Sequence, residues 1–577
     1  MSRIIKGIAA SKGIAVAKIF KIEDENNEVE KALELVDLIE NKEEEIVKLE
    51  KAIEKSILQI EQIKEKASKT LSNEELEIFD AHILIANDPS LIDEMKNLIN
   101  EKGLHSAHAV FQVKEFHRKM FQNFDDEYMK ERAADIHDVW NRVIKNLLNI
   151  EIIDLSAIDH EVVIVAHDLT PSETAQLNKK YVRGFLTNIG GKTSHSAIMA
   201  RTLEIPAILG LENITKLVNN VDVVAINGTT GELVINPTEK EIEAFQQKYF
   251  EYENYKKELE KFRDKTTITK DRHKVIIAAN IGSPKDSDAA IKFGAEAIGL
   301  FRSEFLYMDS KDWPTEEEQF ENYAKVLKDM NNKQVVVRTL DIGGDKTLEY
   351  FQFPYEMNPF LGYRAIRLSL DKQNVFRDQL RALIRASVYG NLAIMFPMIS
   401  TVDEFKKAKE IFDDVKQELI NEGLILHNKI EVGMMVETPA AAVLTEQFCR
   451  YADFVSIGTN DLMQYSMAAD RMNEKVSYLY QPLNPSILRL IKMTIDGAHK
   501  AGKWVGMCGE MAGDISAIPL LLGMGLDEFS MSASSILEAR KLISEINFKD
   551  AHILMHKAIN AENEVEVKKL MKEFFQK

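Results

Sequence analysis

Val335-Val-Val-Arg338-Thr-Leu-Asp341-Ile-Gly-Gly-Asp345-Lys346 begins as three consecutive β-branched residues and ends in charge, glycine and charge. A short apolar run closed by glycine is the pattern of a strand buried on both faces, as in a parallel sheet. Working outward from it, the same shape recurs at Val275–Gly282, Ala297–Leu306, Leu392–Met398, Ile430–Glu437, Phe454–Asn460, Trp504–Cys508 and Asp527–Met531, with helix-like sequence between the runs. Eight strand–helix units in roughly 300 residues predict a (β/α)8 barrel, whose chemistry sits at the C-terminal ends of the strands.

The strand ends can therefore be read as a list of site residues. They carry Arg302, Arg338, Glu437, Asn460, Asp461 and Cys508, and adjoining loops add Lys346, Arg364 and Arg471. Four arginines, a lysine and at least two carboxylates on one face describe an anion site with a divalent metal, because the guanidinium fork matches phosphate and carboxylate oxygens while Mg2+ takes one or two carboxylates plus substrate oxygens. Taken singly, each has a structural explanation. An arginine at a strand end is commonly a salt-bridge partner, a lone cysteine is commonly an inert hydrophobe, and Glu437 before Thr-Pro can simply start a helix. What decides is recurrence: five of the eight strands carry such groups at the same end, which packing alone does not require.

The rest of the chain has a different texture. Residues 23–149 are rich in Glu, Lys, Leu and Ile, with apolar residues at Ile46, Leu49, Ile53, Ile57, Ile60 and Ile63. Spacings of three and four predict amphipathic helices, and breaks at Asn87-Asp88-Pro89 and Gly103 divide them into a bundle. Short strand runs at Ile4-Ile5, Ile14–Ile19, Val162–Ala166, Gly184–Thr187 and Val221–Ile226 predict a small α/β domain, residues 1–22 and 150–236, into which the helices are inserted. Residues 237–264 read as a linking helix and 265–577 as the barrel domain. The expected fold class is thus α/β multidomain.

Composition bounds the function. The 577 residues are 45% hydrophobic and 29% charged, a globular balance, and the net charge of −19 argues against a nucleic-acid backbone binder. Two cysteines, Cys449 and Cys508, exclude a disulfide framework and fit a reducing, cytoplasmic setting. Lys6, Lys12 and Lys18 interrupt any signal-peptide core, and no run approaches the 18 apolar residues of a membrane span, so membrane insertion is not expected.

One motif belongs to the α/β domain: Gly190-Gly-Lys-Thr-Ser-His195-Ser-Ala-Ile-Met-Ala-Arg201. It is not a P-loop, since Walker A needs glycine five residues before Gly191 and Leu186 stands there. What remains is a Gly-Gly turn, a Thr/Ser cap and a histidine at a helix start, where the helix dipole disfavours imidazolium and keeps His195 a neutral nucleophile. The other histidine group, His105, His108 and His117, reads as a polar helix face, because spacing alone does not make a metal site.

With this motif the sequence resembles the phosphoenolpyruvate-utilising enzymes over essentially its whole length. The resemblance is carried by that histidine motif together with Gly299-Leu-Phe-Arg-Ser-Glu-Phe-Leu-Tyr307, Arg338 to Lys346, Gly433-Met-Met-Val-Glu-Thr-Pro-Ala440, Ile457-Gly-Thr-Asn-Asp-Leu462 and Gly506-Met-Cys-Gly-Glu-Met-Ala-Gly513. Lys192 stands where arginine is common and Ser196 where threonine is common, and neither removes a catalytic group. The resemblance implies that phosphoenolpyruvate phosphorylates His195, that Arg302, Arg338, Asn460, Asp461 and Arg471 bind substrate with Arg364 and Lys346 beside them, that Glu437 and Asp461 hold Mg2+, and that Cys508 is the general acid yielding pyruvate. It further implies transfer to the small carrier HPr, docked on residues 23–149 where Glu74, Glu75 and Glu77 face a basic partner, and a homodimer joined through the barrel. His195 and the barrel mouth then fall in separate domains, with 237–264 as the expected hinge. Related dikinases and synthases carry a large ATP-binding domain for which the roughly 22 residues before the insertion leave no room, and a non-catalytic phosphoenolpyruvate sensor would not need every chemical group present.

Overall fold

Eight parallel strands close on themselves in the C-terminal half: β9 (Ile276–Ile281), β10 (Ala297–Arg302), β11 (Gln334–Arg338), β12 (Asn391–Phe396), β13 (Glu431–Val436), β14 (Phe454–Ile457), β15 (Trp504–Met507) and β16 (Glu528–Met531), with β16 pairing back onto β9. All eight expected strands are present, and each pairs in order with its sequence neighbour. The expected run Ala297–Leu306 stops as strand at Arg302, because Glu304–Met308 turns into a helix. This computed structural model describes residues 2–576 apart from 23–28, 30, 35, 37, 38, 40, 68–72, 123–126, 175, 192, 193, 309, 345, 347, 349, 427, 428 and 472. Lys192, Thr193 and Asp345 of the quoted motifs lie outside the described residues, as do the side chains of His195, Glu74, Glu75 and Glu77.

Strand alternation divides the barrel core in two. Val335, Val337, Leu392, Ile394 and Phe396 point outward into the layer shared with the surrounding helices, while Val336, Ala393, Met395, Met435 and Phe454 point inward with Cys508. Phe454 and Trp504 stack at 4.4 Å between ring centroids and plug the lower barrel. The helices are started by their sequence: Thr401 and Glu404 form a reciprocal capping box at Val402–Asn421, and Asn484 caps Pro485–Lys500 with proline in the first turn. Phe405, Ala408, Phe412, Val415 and Leu419, at spacings of three and four, supply the stripe that buries the first of these against the strands.

The chain divides into two units, Met1–Tyr255 and Lys256–Lys577, with helix Glu239–Glu260 running through the division. The first contains a sheet of eight strands: β1 (Arg3–Lys6), β2 (Ile8–Ser11), β3 (Ile14–Lys21), β4 (Val162–Ala166), β5 (Val182–Thr187), β6 (Ala207–Leu209), β7 (Val223–Asn227) and β8 (Glu232–Ile235), in the order β1-β8-β7-β3-β4-β5-β6-β2. Between β3 and β4 run helices Lys42–Ala67, Asn73–Ala86, Pro89–Lys102, Ser106–Gln122 and Glu127–Leu148. Asp88 caps the third of them and Gly103 ends it, at the two breaks visible in the sequence. Leu49 and Ile53 join the bundle core around Trp140, whereas Ile60 and Ile63 reach the sheet core with Phe79. One helix thus serves two cores.

Candidate active site

Position within the barrel explains the site. Arg338 is the last residue of β11, buried at 6% exposure, and its guanidinium meets two carboxylates: Nη2 donates to Glu304 Oε1, and Nη1 lies 3.0 Å from Asp341 Oδ2. Lys346 Nζ donates to the same pair, at 2.8 Å to Glu304 Oε1 and 3.3 Å to Asp341 Oδ2. Arg364 extends the network, Nη2 donating to Asp341 Oδ1 at 3.0 Å and Nη1 to Asp461 Oδ1 and the Tyr465 hydroxyl at 3.1 and 3.2 Å. Burial alone would raise the Glu304 and Asp341 carboxyls, but the adjoining cations outweigh it and hold both below their ordinary range. The same carboxylates keep both guanidiniums charged against the cost of burial.

Glu437 has the opposite balance. Its side chain is buried just past β13, Oε2 accepts the Met398 N–H at 2.8 Å, and burial together with the charges of Asp461 and Asp341 pushes its carboxyl up to about 8. A cation beside Glu437 and Asp461 would restore the charged form of Glu437. Each has one oxygen in a hydrogen bond described above, leaving the other for a ligand. The backbone around them is strained. Met398 has φ 55°, and Ala365, fully buried directly after Arg364, has φ 52° and ψ −125°. Such conformations cost about 1–3 kcal/mol each and persist where the surrounding structure forces them.

The remaining barrel residues line the mouth. Arg302, exposed at the end of β10, borders a cavity of about 410 Å³ with Asn280, Glu510, Asp514 and Ser532. Asn460 borders a neighbouring one of about 170 Å³, donates to Glu510 Oε1 at 3.4 Å and accepts from the Tyr480 hydroxyl at 3.2 Å. Arg471 donates its backbone N–H to Gln464 Oε1, and its charge acts on Tyr480. Cys508 is 4% exposed after β15, and burial pushes its thiol up to about 11, so it keeps its proton at neutral pH. Nine of the ten expected site residues therefore lie in the barrel unit, at one end of it.

The tenth, His195, is in the other unit, as the first residue of helix His195–Thr202. Ser194 caps that helix, its Oγ accepting the Ala197 N–H and donating to Gly191 O. Gly190 takes φ 111° in the turn before it, and Asn188 braces the turn through His167 and Thr215. Glu304, Asp341 and Tyr465 were not among the expected site residues. Glu304 and Asp341 stand inside the strand-end runs, two and three residues past an arginine, which is the signal that could have found them. His105 and His117 lie beside Glu45 and Glu94.

A strand-end cluster of this composition, on a barrel preceded by a small histidine-bearing α/β unit, defines the class, and comparison with known proteins gives it a name. Residues 256–548 match the family described as PEP-utilising enzyme, PEP-binding domain; residues 158–231 match its mobile domain and 6–132 its N-terminal domain. Phosphoenolpyruvate-protein phosphotransferase of Mycoplasma capricolum subsp. capricolum is 54% identical over 100% of this chain and 99% of its own, and that of Priestia megaterium 52% identical over the full length of both. An NMR solution structure of Enzyme I (nEIt) is 43% identical over 43% of this chain and 99% of its own, with a TM-score of 0.38. The chain belongs to the phosphoenolpyruvate-utilising enzymes, in the group of phosphoenolpyruvate-protein phosphotransferases.

Proposed function

We propose that this protein takes the phosphoryl group of phosphoenolpyruvate onto His195 and passes it to a histidine of HPr, releasing pyruvate as the first step of sugar uptake by the phosphotransferase system. The observation that carries the reading is the convergence of Arg338, Lys346 and Arg364 with Glu437 and Asp461 at the mouth of a barrel that matches a PEP-binding domain.

Arg302, Arg338, Arg364, Lys346, Asn460, Asp461 and Arg471 bind the substrate. Guanidinium forks suit its carboxylate and phosphate, and those of Arg338 and Arg364 are buried, where charge spreading over the phosphoryl oxygens is strongly stabilised. Glu437 and Asp461 would hold Mg2+, and the crowding that raises Glu437 supports that assignment. When bound, Mg2+ supplies positive charge to the transferring phosphoryl oxygens. His195, the first residue of its helix, attacks phosphorus in line, and enolpyruvate leaves. The Cys508 thiol, still protonated at neutral pH, gives its proton to C3 and makes pyruvate, which removes the enol and opposes reversal.

Partners follow from the same reading. HPr docks on the helical insertion, steered by its acidic faces, and the protein works in the cytoplasm as a homodimer joined through the barrel. Among the described residues no helix is long and apolar enough to cross a membrane. The general-acid assignment is tested by Cys508→Ala: phosphoenolpyruvate binding, measured by calorimetry, stays near wild type while pyruvate formation slows about 10²-fold or more. Unchanged turnover would remove the role.

A further inference from the structure

One buried amide joins the two strand ends that carry the first arginines of the site. β10 and β11 pair as far as Arg302 and Arg338, after a register shift between Ile298 and Phe301, and their ladder ends at that pair. Just past it, Ser303 stands between Arg302 and Glu304, and Thr339-Leu340 between Arg338 and Asp341. Gln379, fully buried in the helix Gln373–Ala386, reaches both segments: its Oε1 accepts the Leu340 N–H at 2.9 Å, and its Nε2 donates to Ser303 Oγ at 3.0 Å. The second N–H of the amide goes to Tyr323 Oη at 3.1 Å, on the helix Glu316–Asp329. Where the ladder stops, a side chain takes over.

The direction of every bond in this network follows from one group. A backbone N–H can only donate, so the amide must turn its oxygen to Leu340 and its nitrogen to Ser303 and Tyr323. Both hydroxyls, accepting from that nitrogen, then give their own protons onward: Ser303 Oγ to Arg338 O at 2.6 Å, and Tyr323 Oη to Gln319 Oε1 at 3.1 Å. Tyr307 Oη donates to the same Gln319 oxygen at 3.0 Å, and Tyr307 O accepts from Tyr350 Oη at 2.9 Å, which ties in the loop of Lys346. A buried network in which each member is satisfied in one arrangement is rigid, and only a side chain with both an acceptor and two donors can close this one. Gln379 reaches the site solely through Ser303 and the Leu340 N–H, from the helix layer outside the strands.

We propose that Gln379 is a positioning residue for phosphoryl transfer, its amide fixing the gap between the two strand ends. That gap sets the spacing of the Arg302 and Arg338 guanidiniums, and of Glu304 and Asp341, which hold Arg338. The inference rests on Arg302 and Arg338 binding phosphoenolpyruvate. A guanidinium displaced by a fraction of an ångström still attracts the substrate, but it no longer meets the oxygens on which charge develops during transfer. Loss of the amide is therefore felt in the rate of transfer more than in binding.

The test uses the full-length protein with Mg2+. Transfer is read as the rapid-quench rate of the first pyruvate per folded molecule, and affinity by calorimetry with phosphoenolpyruvate in a His195→Ala background, where no transfer occurs. Gln379→Met, which keeps the length and loses the amide, is expected to bind within about threefold of its parent and to form pyruvate about tenfold to 10²-fold more slowly. Ser303→Ala, which releases only Arg338 O, shows the same split with a smaller loss, and it decides alone should Gln379→Met fail to fold. The double variant is no slower than Gln379→Met, because both changes cut one path. Transfer within about twofold of wild type in these variants overturns the assignment, as does a loss of affinity equal to the loss of rate, or losses that multiply in the double variant. Failure of the underlying reading shows separately, as wild-type transfer in Arg338→Lys.

Discussion

Opposite ends of one barrel treat buried arginines in opposite ways. At the N-terminal end of the strands, Arg540 is 1% exposed and is held by neutral groups: Thr267 Oγ1 at 3.0 Å and the carbonyls of Phe262, Arg263 and Gly294 at 3.1, 2.8 and 2.6 Å. Burial lowers its guanidinium, and Glu296, 3.8 Å away, only partly compensates. At the C-terminal end, Arg338 and Arg364 are held by Glu304, Asp341 and Asp461, and yet Arg338 Nε, Arg364 Nε and Glu304 Oε2 have no partner among the described residues. Each unmet buried group costs about 1–3 kcal/mol. The lower arginine finishes its bonding when the chain folds. The upper pair keeps capacity for a ligand, in strained surroundings, as expected of the end of such a barrel that carries chemistry.

The contrast is sharpest in substitutions that keep an unbranched side chain of similar length. Arg364→Lys loses the fork joining Asp341 to Asp461, and kcat/KM for phosphoenolpyruvate should fall about 10²–10³-fold in steady-state assays. Retained activity would mean that the fork is structural like that of Arg540. Next in size, Arg540→Met strips hydrogen bonds from buried carbonyls and should cost roughly 2–4 kcal/mol in urea unfolding of the barrel while leaving kcat per folded molecule unchanged. An equal loss of kcat would erase the distinction between the two ends.

A smaller effect concerns acid. The Asp341 carboxyl is depressed in the folded protein, so its contribution to stability is present above the ordinary carboxylate value of about 4 and fades as pH falls through the lower folded value. Asp341→Asn should therefore be less stable than wild type by roughly 1–3 kcal/mol at pH 7, with the gap closing toward pH 3 in urea melts. A gap independent of pH would mean that shape, and not charge, holds the network.

How much of this could be read from the chain differs between the two units. Barrel strands are continuous apolar runs buried on both faces, so Val335–Val337 or Ile394–Phe396 declare themselves without knowledge of their neighbours. In the α/β unit, Ile8–Ser11, Ala207–Leu209 and Glu232–Ile235 escaped the reading. They have three or four residues each, too short for a periodicity, and two of them pair with each other at the sheet edge. At the site, the arginines were legible as charges at strand ends, but their partners were not: Arg364 reaches Asp341 across 23 residues of sequence and Asp461 across 97.

The most direct measurement incubates the full-length protein with Mg2+ and phosphoenolpyruvate labelled in its phosphoryl group, and compares wild type with His195→Ala. The account predicts one acid-labile, base-stable phosphoryl group on the wild type, none on the variant, and loss of the label to HPr when HPr is added. Equal labelling of the variant, or labelling that requires ATP in place of phosphoenolpyruvate, would contradict it.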